Sequence, residues 1–114
     1  MSTVEIIEWQ TLCSKQDLIA GSGVCALAGG SQVALFYLPN EENEIFAIDN
    51  HDPVGGANVL SRGIVGDLDG RLVVASPLYK QHFDLISGEC LEEENICVET
   101  YSVRIDGDAV QIAG

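Results

Sequence analysis

Between Ala47 and Leu91 the chain opens two proline-bent loops, and this pair limits the possible folds more than any other feature. The first loop follows the apolar run Ile45 to Ile48, and the second follows Leu72 to Ala75. Pro53 and Pro77 stand near the loop starts, with Gly56 and Gly88 further on. Proline has no N–H to give to a ladder, so a central strand cannot run through either position. Paired loops of this kind at strand ends are how small β-proteins build a two-sided site.

The flanking segments read as short strands divided by turn signals. Val4 to Trp9 is expected to be the first strand, and Ser14-Lys15-Gln16-Asp17 a turn or a single helical turn with a capping signal. Gly29-Gly30 separates Val24 to Ala28 from Gln32 to Leu38, the spacing of a tight hairpin. Pro39 to Asn43 is a polar turn before the strand Glu44 to Ile48, where Ile45 and Ala47 face opposite to Phe46 and Ile48. Asp69-Gly70 signals a second hairpin between Ile64 to Leu68 and Arg71 to Ala75. Gln81 to Leu85 follows the second loop, and Glu92 to Asn95 is an acidic loop. Thr100 to Ile105 alternates as one half-buried strand, and Asp106-Gly107-Asp108 turns into Ala109 to Ile112. About ten short strands without a helix predict an all-β protein, an antiparallel sandwich or barrel with a two-loop tip. At 114 residues the expectation is one domain over 1–114.

The loops also carry a motif. Asp52-Pro53-Val54-Gly55-Gly56 resembles the C-P-H-x-G loop of a Rieske domain, and Ser76-Pro77-Leu78-Tyr79-Lys80-Gln81-His82-Phe83-Asp84 resembles its C-P-x-H-G-x-x-F-D loop. Ser87-Gly88-Glu89 falls where that family has its closing turn. The scaffold residues agree, but every ligand position differs: Asp52 and Ser76 replace cysteine, and Val54 and Tyr79 replace histidine. A Rieske [2Fe–2S] centre needs two thiolates and two imidazoles, so this donor set argues against a cluster. A Rieske-like domain without its ligands is similar to the small subunit of assimilatory NAD(P)H nitrite reductase. Trp9-Gln10-Thr11-Leu12-Cys13 and the segment Asp17-Leu18 to Gly23-Val24 extend the likeness over nearly the whole chain.

That resemblance implies an accessory subunit, without a cofactor of its own, docked on a large subunit. The large subunit would carry FAD, sirohaem and an iron–sulfur cluster and reduce nitrite to ammonium. It also implies that the loop tips contact the partner, through His51, Pro53, Gly56, Asn58, Pro77, Lys80 and His82. Two other readings stay open: a stand-alone acidic interaction module, and a true Rieske-type electron carrier.

Charge narrows the partners. Eighteen acids against five bases give a formal net charge of -13, which disfavours nucleic acid and anionic membrane surfaces. The acids either steer a basic partner or only keep the protein soluble. No apolar run approaches the ~20 residues of a membrane span. The start MSTVEIIEW lacks the regions of a signal peptide. Cys13, Cys25, Cys90 and Cys97 show no C-x-x-C spacing and are read as reduced, partly buried thiols of a cytoplasmic protein.

Single residues have two readings each. His51, Asp52 and His82 are candidate metal ligands, but hydrogen-bonding loop histidines are the favoured reading. Tyr79 is expected to fill the volume of a cluster with its hydroxyl bonded nearby, and Val54 to pack into the same gap. Asp52 either keeps a charge for docking or stabilises the turn before Pro53. Gly55-Gly56 lacks the frame of a phosphate cradle, and no nucleophile motif surrounds Ser61 or Ser76.

Overall fold

The computed structural model describes residues 8–113. The first element is the strand β1 (Trp9–Ser14), after which Ser14 caps the 3-10 turn Lys15–Asp17 in a capping box with Asp17. A strand beginning at Val4 falls mostly outside the described residues. Strands β2 (Ser22–Ala28) and β3 (Ser31–Tyr37) form the first hairpin. Gly29 and Gly30 both have positive φ, the backbone of a two-residue turn whose twist matches its strands. Next come β4 (Ile45–Asp49), β5 (His51–Asp52), β6 (Ala57–Asn58) and a 3-10 turn at Leu60–Arg62. The second hairpin joins β7 (Ile64–Leu68) to β8 (Arg71–Ala75), and β9 (His82–Asp84) follows the second loop. The chain ends in β10 (Thr100–Tyr101), β11 (Val103–Asp106) and β12 (Ala109–Ala113).

Among the described residues twelve strands are thus present where about ten were expected, because β5 and β6 inside the first loop are only two residues each. The expected strand Thr100 to Ile105 is split at Ser102. Its first part pairs with β4 and its second with β12, so one alternating segment serves two sheets.

The sheets lie in layers and do not close into a barrel. The central one has the order β10-β4-β3-β2, flanked by β7-β8-β9 and by β1-β12-β11. Alternate side chains of β3 and β4 feed two different cores. Ala34, Phe36, Phe46 and Ile48 pack with Val74 and Phe83 on the face that carries the loops. Val33, Leu35, Ile45 and Ala47 pack with Val110 and Ile112 on the other. Burial on both faces explains why Val33 to Phe36 and Ile45 to Ile48 read as unbroken apolar runs.

Candidate functional site

Both loops hang from the loop-side core. Asn50, 2 % exposed, follows β4 and anchors the first loop from below. Its Nδ2 donates to Gln32 Oε1 (3.0 Å) and to the Asn58 carbonyl (3.2 Å), while its Oδ1 accepts from the Ser61 N–H (2.7 Å). One side chain therefore joins β3, β6 and the Leu60–Arg62 turn, with no buried polar atom left over.

The first loop winds around Asp52, which is fully buried. Asp52 Oδ1 accepts from the N–H groups of Val54 (2.8 Å) and Gly55 (3.1 Å), and its carbonyl accepts from Gly56 N–H (2.7 Å). This is the turn-stabilising role read from the sequence, and burial rules out Asp52 as a docking charge. The second loop winds around Ser76, 1 % exposed. Its N–H donates to the Gln81 carbonyl (2.9 Å), its carbonyl accepts from Lys80 N–H (3.1 Å), and its Oγ accepts from Leu78 N–H (3.3 Å). Lys80 closes this turn at a φ of 62°, unusual for a residue with a side chain. Between the loops, Ser76 Oγ–H donates a hydrogen bond to Asp52 Oδ2.

The other two ligand-position residues diverge. Val54 packs against the loop-side core, as expected of an apolar filler. Tyr79 does not fill a gap: it is 66 % exposed and makes no side-chain hydrogen bond in the described structure. Its neighbour Leu78 is the residue that reaches the first loop, its Cδ1 occupying the space that a Cβ on Gly55 would need. Sequence reading missed Leu78 because nothing distinguishes it locally from Tyr79 and Lys80 beside it.

A Rieske centre does not fit these residues. The oxygens of Asp52 and Ser76 are engaged with each other and with backbone N–H groups, Val54 has no donor, and Tyr79 faces away. His51 and His82 do not converge either. His51 Nδ1 meets Asn58 Oδ1 (3.0 Å), and His82 Nδ1 meets Glu92 Oε2 (2.7 Å), so both act as hydrogen-bonding loop residues. No group of three metal-ligating side chains occurs among the described residues.

Below the second loop, Asp84 of the Phe-Asp motif holds the following turn. It accepts from the N–H groups of Ile86 (2.7 Å) and Ser87 (2.9 Å) and from Arg71 Nε (2.8 Å). Burial alone would raise its carboxyl, but the Ser87 N–H, Arg71 and the Ile86 N–H outweigh it and hold the pKa below its ordinary value. Glu92 behaves alike: desolvation pushes it up, and the backbone N–H and ring of His82 bring it below its usual range. The cysteines vary more than expected. Cys90 is buried and Cys13 half-buried, its thiol raised by burial and then by Asp17, whereas Cys25 and Cys97 are exposed.

Of the predicted contact residues, His51, Pro53, Gly56, Asn58, Pro77 and Lys80 are exposed, and His82 is half-buried. Residues 51–58 and 77–82 contain one acid, the buried Asp52, while the half-exposed Glu92 carboxylate lies against this tip at His82.

Layered all-β sheets with two facing loops define a class, and the family model of the Rieske-like [2Fe-2S] domain matches residues 8–113. The chain belongs to that family. Within it, the chain is 47% identical over 107 residues to the nitrite reductase (NADH) small subunit of Salmonella typhimurium, covering 94% of this chain and 98% of the relative. The NMR structure of the Escherichia coli protein NirD superposes with a TM-score of 0.85 at 41% identity, over 96% of this chain and 98% of that one. A third relative is the nitrite reductase [NAD(P)H] large subunit of Klebsiella oxytoca, 35% identical over 104 residues, 91% of this chain but 11% of the relative.

Proposed function

We propose that this protein is the accessory small subunit of an NAD(P)H-dependent nitrite reductase and carries no redox centre of its own. The observation that carries this reading is the loop pair. Its scaffold is that of an electron carrier, while the two cysteine positions bond to each other through oxygen and the two histidine positions diverge. The K. oxytoca relative supports the choice of partner, since a domain homologous to this one lies within a large-subunit chain. A domain found in one polypeptide with a large subunit is suited to bind a separate one.

On this reading the large subunit holds FAD, sirohaem and an iron–sulfur cluster and performs the reduction of nitrite to ammonium for nitrate assimilation in the cytoplasm. The small subunit stabilises that chain by binding its folded form, or keeps water from the electron path beneath the tip. Its loop tip makes the contact; residues 51–58 and 77–82 add no exposed carboxylate of their own, although Glu92 stands at their edge on His82.

The test is reconstitution. The large chain, purified with and without this protein, is assayed for nitrite-dependent NAD(P)H oxidation and for thermal stability. Co-purification with a flavin and sirohaem spectrum, and a gain in either quantity, is the expected result. Full activity and stability of the large chain alone would overturn the proposal. Iron or visible absorption in this chain purified by itself would overturn its cofactor-free part.

A further inference from the structure

We infer that the Asp52–Ser76 hydrogen bond is a clasp that sets the separation of the two loops and thereby presents Leu78, Tyr79 and Lys80 to the large subunit. The inference rests on the functional reading above and assigns its positioning residues. Asp52 and Ser76 are each the hub of one loop. Asp52 gathers three backbone N–H groups of the first, and Ser76 gathers two N–H groups of the second while giving its own N–H to Gln81. A bond between the hubs therefore ties together two otherwise separate turns.

Apolar packing of Leu78 against Gly55 supplements this tie at the tip. Packing is non-directional and tolerates sliding, whereas a hydrogen bond fixes distance and angle. These are also the two positions at which the resembled motif would place thiolates on one iron. The pair thus does with oxygen the mechanical work that a bridging centre would do with metal. Because both residues are buried, the bond is shielded from competing water. The outward face of the second loop then holds the exposed Leu78 and Tyr79 and the αL-strained Lys80 in one arrangement. A preset arrangement spares the complex the cost of ordering these side chains on binding.

The experiment uses the full chain with Ser76→Ala, Asp52→Ala and Asp52→Asn. Amide hydrogen exchange is followed by NMR, and affinity for the purified large subunit by titration. In Ser76→Ala and Asp52→Ala, exchange at residues 53–56 and 78–81 is expected to rise at least about tenfold, with amides of β3 and β4 unchanged. Affinity should fall by about tenfold alongside. Asp52→Asn should lose less than Asp52→Ala in both measurements, since its amide can still accept from Val54 and Gly55 N–H and donate to Ser76 Oγ, although the Ser76 hydroxyl proton loses its carboxylate acceptor.

Unchanged loop exchange in Ser76→Ala would overturn the clasp, and this variant decides the matter if Asp52→Ala fails to fold. Loss in Asp52→Asn equal to that in Asp52→Ala would overturn it too, as would loosened loops with undiminished affinity. Failure of the unmodified protein to bind the large subunit would instead sink the functional reading, leaving the clasp to stand or fall on the exchange data.

Discussion

The two faces of the central sheet differ in kind. On the loop side, the apolar core around Phe36 and Phe83 is accompanied by every buried polar residue of the described structure: Asn50, Asp52, Ser61, Ser76 and Asp84. On the far side, Val33, Leu35, Ile45, Ala47, Val110 and Ile112 form a core without one. Burying polar groups is favourable only when each finds partners, and a satisfied network then fixes geometry more sharply than apolar contact does. The contrast teaches where the molecule needs precision. The far layer has only to hold the sheet, whereas the loop layer has to hold a shape.

Three substitutions or conditions press on that contrast. The largest effect is expected from Asn50→Ala, which strands the Ser61 N–H and the Asn58 carbonyl. It should cost about 2–3 kcal/mol in urea unfolding and speed exchange around residues 57–62. A matched far-side change, Ile112→Val, should cost only about 1 kcal/mol without local loosening. Equal costs with no local signature would erase the difference between the faces.

A middle-sized effect is expected from Gly55→Ala. The Gly55 backbone angle does not demand glycine, but a Cβ there collides with Leu78. Because the clashing atom is the end of an exposed side chain that can swing aside, the substitution should cost only about 1 kcal/mol by overpacking. Adding Leu78→Ala should recover part of that loss in a double-mutant cycle, and strict additivity would show that the two loops are not packed together.

The smallest effect concerns pH. Asp84 and Glu92 both have folded pKa values below their ordinary 3.8 and 4.5. The stability they contribute is therefore fully present above those ordinary values, and it is lost as pH falls through the lower folded ones. Unfolding midpoints should decline below about pH 4.5, and Asp84→Asn should flatten that decline. An unaltered profile in the variant would remove Asp84 from the account. Glu92 is partly exposed, so salt should weaken its share more than that of Asp84.

Much of the fold was legible in the sequence. Both two-residue hairpins, the capped turn at Ser14 and the β7 and β8 bounds follow from turn chemistry and alternation, which act over a few residues. The split of Thr100 to Ile105 was not legible, because alternation records which side of a strand is buried and not which neighbour it pairs with. Tyr79 was misplaced for a similar reason. Neither its exposure nor the approach of Leu78 to a glycine 23 positions earlier leaves a local trace.

By itself, then, the sequence determined the residue types: loops bent by Pro53 and Pro77, four ligand positions without thiol or imidazole, and an acidic chain around them. Only the tertiary structure decided which of those residues meet. It brought Asp52 to Ser76, buried both, and sent Tyr79 to the surface. The physical reason is range. Donor chemistry and backbone preference belong to each residue alone, while a hydrogen bond between two loops exists only once sheets on both sides have fixed the distance between them.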